Sequence, residues 1–253
     1  MAVRVVILGT GTIIPSMSRK ATSLLIEAHG ETALFDCGPG ALEAVERSGR
    51  SYKDIKRIFI THFHPDHTLG LGRLFSAMKN DGSFPLEGRI EIYGPEGLDR
   101  FIENWNGLYD GIVPGDERLG LCGAFRSTGH SGGGPDVRAR AADHAGKAAY
   151  AYRLDYQGSS VVFTGDTGYT RSIVELAEGT DLLVTECSLP DDRAMNGHLT
   201  PSSAGRIALE AGVGRVVLVH LYPSMEEAEA IEGVKRIYDG PVEVASDGME
   251  IDL

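Results

Sequence analysis

The stretch Arg57-Ile58-Phe59-Ile60-Thr61-His62-Phe63-His64-Pro65-Asp66-His67 sets an apolar run directly against three imidazoles and a carboxylate. Residues 57–61 read as a buried β-strand, and the polar cluster begins where that strand stops. Alternation along an extended segment places His62 and His64 on the same side, and His67 opens the helix expected to follow. A single histidine is most often a hydrogen-bonded structural residue; three within six positions beside an aspartate are not explained that way. Burying so many titratable groups is costly unless a cation compensates them. Imidazole together with carboxylate suits zinc or a similar divalent ion.

Working outward, His144 follows the strand-like Val137 to Ala142, Asp166 sits in Phe163-Thr164-Gly165-Asp166-Thr167, and His220 closes Arg215 to Val219. Each ends an apolar run, and loops held at the ends of a rigid sheet are where α/β proteins assemble their sites. Other short strands are expected at Val3 to Leu8, Ser23 to Glu27, Thr32 to Asp36, Arg89 to Tyr93, Ala148 to Asp155, Ser160 to Thr164, Leu182 to Glu186 and Val242 to Ala245. Helical patterns lie between them at Gly40 to Ser48, Thr68 to Met78, Pro95 to Trp105, Thr170 to Ala177, Pro201 to Ala211 and Met225 to Tyr238. Thr200-Pro201 supplies a capping hydroxyl and a first-turn proline to the fifth of these. The order recurs after about Gly134. It predicts an α/β fold of the αββα four-layer sandwich type, two β-rich halves within one domain over 1–253. The stretch Asn106 to Pro135, rich in glycine and proline, reads as a long loop, either a lid or binding surface or a plain connection.

Composition narrows the function. At 253 residues one hydrophobic core suffices, and no apolar stretch reaches the length of a membrane span. The opening Met1-Ala2-Val3-Arg4-Val5-Val6-Ile7-Leu8-Gly9 reads as a strand without the features of a secretion signal, so a cytoplasmic location is expected. Cys37, Cys122 and Cys187 are too few and scattered for a disulfide framework and read as reduced thiols. A net charge of -12 argues against a generally basic nucleic-acid surface. Gly9-Thr10-Gly11 has Ile14 where a dinucleotide-binding loop has its third glycine, and Gly132-Gly133-Gly134 reads as a turn.

Together with Gly9-Thr10-Gly11-Thr12 and Leu34-Phe35-Asp36-Cys37-Gly38, these clusters resemble the metallo-β-lactamase superfamily over essentially the whole chain. The resemblance implies one metal held by His62, His64, His144 and Asp166, and a second held by Asp66, His67, His220 and the same Asp166, with Asp36 supporting them from behind. Within the superfamily the chain is most similar to the ribonuclease Z branch of phosphodiesterases. Gly11-Thr12-Ile13-Ile14-Pro15-Ser16, Thr185-Glu186-Cys187-Ser188 and Gly197-His198-Leu199-Thr200 carry that likeness. It implies that His198, oriented by Glu186, gives a proton to the leaving oxygen. Two departures stand out: only positions 145–165 separate His144 from Asp166, too few for the arm that many of these proteins use to grip tRNA, and Thr185 stands where the branch has histidine.

The expectation is thus a dinuclear-zinc phosphodiesterase, with manganese or iron(II) as other metals, in which a hydroxide held between the metals attacks and Asp66 orients it. A small-molecule or nucleotide phosphodiester is the expected substrate; tRNA is disfavoured by the missing arm and the acidic charge. Because fold and metal do not fix the substrate, a sulfate ester, a lactone, a cyclic nucleotide, or tRNA 3′ processing without the arm stand as alternatives. A metal-binding protein without catalysis is the alternative from another class. The branch implies a homodimer, and the short apolar runs imply no membrane association.

Overall fold

Short β-branched runs bounded by glycine and polar residues become strands here, and periodic segments between them become helices. The computed structural model describes residues 3–85, 89–115, 117–128 and 133–253. The first half runs β1 (Arg4–Gly9), β2 (Ser23–Ala28), β3 (Glu31–Phe35), α1 (Ala41–Arg47), β4 (Ile55–Phe59), α2 (Pro65–Thr68), α3 (Gly70–Asn80), β5 (Ile90–Tyr93), α4 (Leu98–Leu108) and β6 (Leu119–Cys122). The second runs β7 (Asp136–Ala141), β8 (Tyr150–Tyr156), β9 (Ser159–Phe163), α5 (Arg171–Ala177), β10 (Leu182–Glu186), α6 (Pro201–Ala211), β11 (Arg215–Val219), α7 (Glu227–Lys235), β12 (Val242–Val244) and β13 (Met249–Asp252).

Among the described residues one sheet has the order β13-β1-β2-β3-β4-β5-β6 and the other β12-β11-β10-β9-β8-β7. The inner faces meet in a core containing Phe35, Phe59, Tyr93, Tyr152, Phe163 and Val184. A second core joins the outer face of the first sheet to α1, α3 and α4, and a third joins the outer face of the other sheet to α5, α6 and α7. The result is the expected αββα sandwich, with apolar residues on both faces of each sheet because both faces are covered. No helix among the described residues is long and apolar enough to cross a membrane.

Aromatic stacking and two hydrogen bonds lock the sheets together beside the histidine cluster. Phe59 stacks on Phe35 and on Tyr93, each with centroids 4.8 Å apart, and Tyr152 meets it edge-on at 5.4 Å. The Tyr152 hydroxyl donates to the Ile60 carbonyl at 2.6 Å, and the Tyr150 N–H donates to the Thr61 carbonyl at 2.8 Å. The strand end that carries His62 is therefore fixed from both sheets.

Two expectations need correction, and one strand stands where none was expected. The 106–135 stretch is not simply a loop: α4 extends to Leu108, and Leu119–Cys122 forms an edge strand pairing in parallel with β5. Gly120 interrupts its apolar pattern, so the sequence signal is weak, while the neighbouring strand supplies the missing hydrogen-bond partners. Residues 116 and 129–132, including Gly132 of the expected glycine turn, lie outside the described residues. The acidic C-terminal stretch pairs with β1 as β13, helped by Arg4 to Asp252 and Arg50 to Glu250 ion pairs. The helix after the cluster begins at Pro65, so His67 lies inside it and does not open it.

Phe59→Ala should destabilise the protein by about 3–5 kcal/mol, because it empties the ring cluster between the sheets. Chemical denaturation followed by circular dichroism measures this, and a loss below about 1 kcal/mol would show that the inter-sheet stack does not carry that packing.

Candidate metal centre

Strand ends from both sheets deliver the polar residues to one edge of the sandwich. Asp36 follows β3, His62 and His64 follow β4, and Asp66 and His67 lie in α2. His144 follows β7, Asp166 follows β9, Glu186 ends β10, and His220 follows β11. Gly38 makes the approach of α2 possible, since a Cβ there would lie 1.9 Å from the Asp66 carbonyl oxygen. The Cys37 N–H donates to the His67 carbonyl, and the Gly70 N–H donates to the Cys37 carbonyl, each at 2.8 Å. Asp36 and His220 both hold positive φ, 58° and 55°, a region few residues other than glycine occupy and one that costs on the order of 1–3 kcal/mol. Both are turned there to aim their side chains inward.

The seven residues expected to surround metal come together in two groups. In each, one nitrogen or oxygen per residue lies within 4.8 Å of the others: His62, His64, His144 and Asp166 in one, Asp66, His67 and His220 in the second. Asp166 stands between them, with Oδ2 3.7 Å from His62 Nε2, and Oδ1 3.5 Å from His67 Nε2 and 3.4 Å from His220 Nε2. His62 Nε2, His67 Nε2 and Asp166 Oδ1 are buried and have no hydrogen-bond partner. Leaving such atoms unpartnered in a low-dielectric interior is expensive. Their convergence is what a divalent cation would satisfy, and the nitrogen and oxygen donors fit one.

The other ring nitrogens are already committed. His67 Nδ1 is 2.7 Å from Asp36 Oδ2, His144 Nδ1 is 2.9 Å from the Gly197 carbonyl, His220 Nδ1 is 3.0 Å from Ser188 Oγ, and His62 Nδ1 is 3.0 Å from Thr61 Oγ1. Such bonds fix tautomer and ring orientation and turn Nε2 towards the cluster, where His144 Nε2 also lies 3.1 Å from His64 Nδ1. Asp36 also accepts from the Thr61 N–H and hydroxyl, both at 2.8 Å.

Electrostatics point the same way. Burial, and then the neighbouring His67, hold His62 well below the ordinary histidine range, so its ring is a neutral donor. Burial opposes the charged form of His67, but the carboxylates of Asp166 and Asp36 outweigh it and lift that ring well above the usual range. Burial likewise works against the Asp166 carboxylate, yet His220 and His67 keep it ionised, well below the usual range.

Glu186 organises the far side. It accepts from the Thr167 N–H at 2.6 Å, from His198 Nδ1 at 3.0 Å, and from the Ser188 hydroxyl. Burial disfavours the His198 cation, and the Glu186 carboxylate reverses that and raises the ring above its ordinary range. Thr185, the departure from the ribonuclease Z pattern, faces away: its hydroxyl lies 3.3 Å from Thr164 Oγ1, on the side of β10 opposite Glu186. It removes no group from this cluster. Ser188, Lys147 beside His64 Nε2, and Tyr222 edge-on to His198 and His220 were not singled out as site residues from the sequence. Ser188 could have been found two positions after Glu186, on the same side of the extended chain; Lys147 gave no signal.

The family described as beta-lactamase superfamily domain matches residues 31–221. A ribonuclease Z of Streptomyces avermitilis is 30% identical, covering 99% of this chain and 98% of its own. Among solved structures, the metallo-β-lactamase fold protein YhfI of Bacillus subtilis is 25% identical with a TM-score of 0.85 over 100% of both chains. The short form of human tRNase Z is 27% identical with a TM-score of 0.77 over 98% of both chains.

Removing divalent metal with a chelator should lower the melting temperature by roughly 5–10 °C, the shift expected when a ligand at about 100 times its Kd is lost from a domain of this size. Adding metal back should restore it. Differential scanning calorimetry reads the change, and an identical melting curve with and without chelator would count against a metal centre here.

Proposed function

The chain belongs to the β-lactamase superfamily as a ribonuclease Z-like, metal-dependent phosphodiesterase, and from that premise we propose that it uses two zinc ions to cleave nucleotide phosphodiesters. The observation that carries the reading is the set of buried, unpartnered His62 Nε2, His67 Nε2 and Asp166 Oδ1 with the Glu186–His198 pair beside it. In this reading His62, His64, His144 and Asp166 hold one ion, and Asp66, His67 and His220 hold the other together with Asp166, whose Oδ1 faces His67 and His220. Bound in this way, zinc supplies Lewis acidity, lowering the pKa of water towards about 7 and polarising phosphoryl oxygens.

The chain's own residues do the rest. Asp66, its Oδ2 3.4 Å from His220 Nε2, orients the attacking water. His198 gives a proton to the departing oxygen: its Nδ1 is engaged by Glu186, which leaves Nε2 for the substrate. Glu186 is a positioning residue, fixed by the Thr167 N–H and the Ser188 hydroxyl. The missing arm favours a small substrate. β8 turns into β9 through Gln157 and Gly158 alone, both with positive φ, so nothing projects between His144 and Asp166 to hold a folded tRNA.

Two variants test these roles. Asp66→Ala should abolish turnover of both bis(p-nitrophenyl) phosphate and a thymidine dinucleotide. His198→Ala should slow the dinucleotide by about 10²–10⁴-fold, the usual value of a positioned acid. Its effect on the nitrophenyl ester, whose leaving group needs little protonation, should be far smaller. Elemental analysis of the wild-type protein should give two zinc ions per chain. Intact diesters after full metal loading, or equal losses on both esters in the His198 variant, would reject the assignment.

A further inference from the structure

A file of aromatic rings begins at Phe63, on the loop that carries the metal cluster, and runs away from it along α4. Phe63, between His62 and His64, stacks on Phe101 with centroids 4.6 Å apart and planes 14° from parallel. Phe101 meets Trp105 edge-on at 6.4 Å, and Trp105 tilts against Tyr109 at 5.2 Å. Residues 101, 105 and 109 follow one another at the four-residue spacing that aligns side chains along a helix, here α4 and its cap. Core packing accounts for the first two rings, since Phe63 and Phe101 pack against the second core, but not for Trp105 and Tyr109. α4 is buried through Leu98 and Ile102, while Phe101 and Trp105 are half-buried and Tyr109 is 49% exposed.

The rings are nevertheless held in place. A Cβ on Gly72 of α3 would come within 2.3 Å of the Trp105 ring, so the glycine forms a notch in which the indole sits. Leu69, 44% exposed and one turn before Gly72, extends the apolar surface towards α2. The outcome is a file of positioned rings with open area, continuous with the loop that carries two of the clustered histidines.

We propose that this file is a stacking surface for the nucleobases next to the scissile phosphate, with Trp105 as the main platform. The inference rests on the phosphodiesterase reading and names the part of the substrate that the metal centre does not reach. A net charge of -12 leaves little general attraction for a phosphate backbone, so affinity for a nucleotide has to come from another source. Base–aromatic stacking provides it, and it tolerates any base because every base has a π face. From Phe101 to Tyr109 the helix rises about 12 Å, the length of a few stacked bases and far short of a folded RNA.

Trp105 is the only tryptophan in the chain, so its fluorescence reports on this surface alone. Thymidine 5′-monophosphate added to the zinc-loaded protein should quench it, and methyl phosphate at equal concentration should not. In kinetics, the wild-type protein should prefer thymidine 5′-(p-nitrophenyl phosphate) over methyl p-nitrophenyl phosphate. Trp105→Leu, and separately Tyr109→Ala at the exposed helix end, should each reduce that preference roughly 5- to 100-fold, the range expected for one stacked base. Equal quenching by both phosphates, or a preference unaltered in both variants, overturns the stacking surface. So does fluorescence that changes with protein concentration alone, which would assign the face to self-association. Quenching by the nucleotide while both esters stay intact would sink the phosphodiesterase reading and leave the base-binding surface standing. Cleavage of both esters without preference would do the reverse.

Discussion

The buried Asp36 carboxylate is the interaction on which the rest of the site depends. It follows β3 in a left-handed backbone conformation, takes hydrogen bonds from the Thr61 N–H and hydroxyl, and engages His67 Nδ1. One residue thereby registers the end of β4 against α2 and fixes which nitrogen of His67 faces inward. Burial pushes the Asp36 carboxyl above its ordinary range despite His67, so the anion is costly and its three contacts have to be kept together.

Glu186 does the corresponding work from the second sheet. It ends β10 and gathers the Thr167 N–H, the Ser188 hydroxyl and His198, while Ser188 in turn reaches His220. Two buried carboxylates, one from each sheet, thus set the imidazoles around Asp166. The inter-sheet bonds of Tyr150 and Tyr152 to the residues just before His62 keep the two halves in register. Precision at the edge of the sandwich follows from rigidity in its middle, where close-packed rings allow little sliding.

Chemistry and recognition are separated in this molecule. The cluster with Glu186 and His198 suits bond cleavage at phosphorus, whereas selection among diesters falls to what surrounds it. The tight turn between β8 and β9 leaves that side short, and the ring file of α4 lies on the first-sheet side, joined to the loop of the cluster through Phe63. A substrate held by stacking near the scissile bond suits a chain whose overall charge repels polyanions.

Local spacing made the centre of the protein readable. Strand, then His62 to His67, then helix is a pattern with a mechanism, and His144, Asp166 and His220 stand out because each terminates an apolar run. The four-layer order could be read from alternating patterns, since covered sheets demand apolar residues on both faces. Weak patterns were lost: Gly120 breaks the rhythm of β6, and the acidic β13 is a strand only because β1 offers hydrogen bonds and Arg4 and Arg50 offer charge. Ser188, Lys147 and the ring file took their meaning from neighbours distant along the chain. The amino-acid order alone determined which residues could meet a cation and which segments would be strands or helices, because those properties belong to residue type and short-range period. Folding decided which nitrogen of each imidazole points inward, which acid steadies it, and which rings stay open to solvent, because these depend on contacts made only when both sheets close.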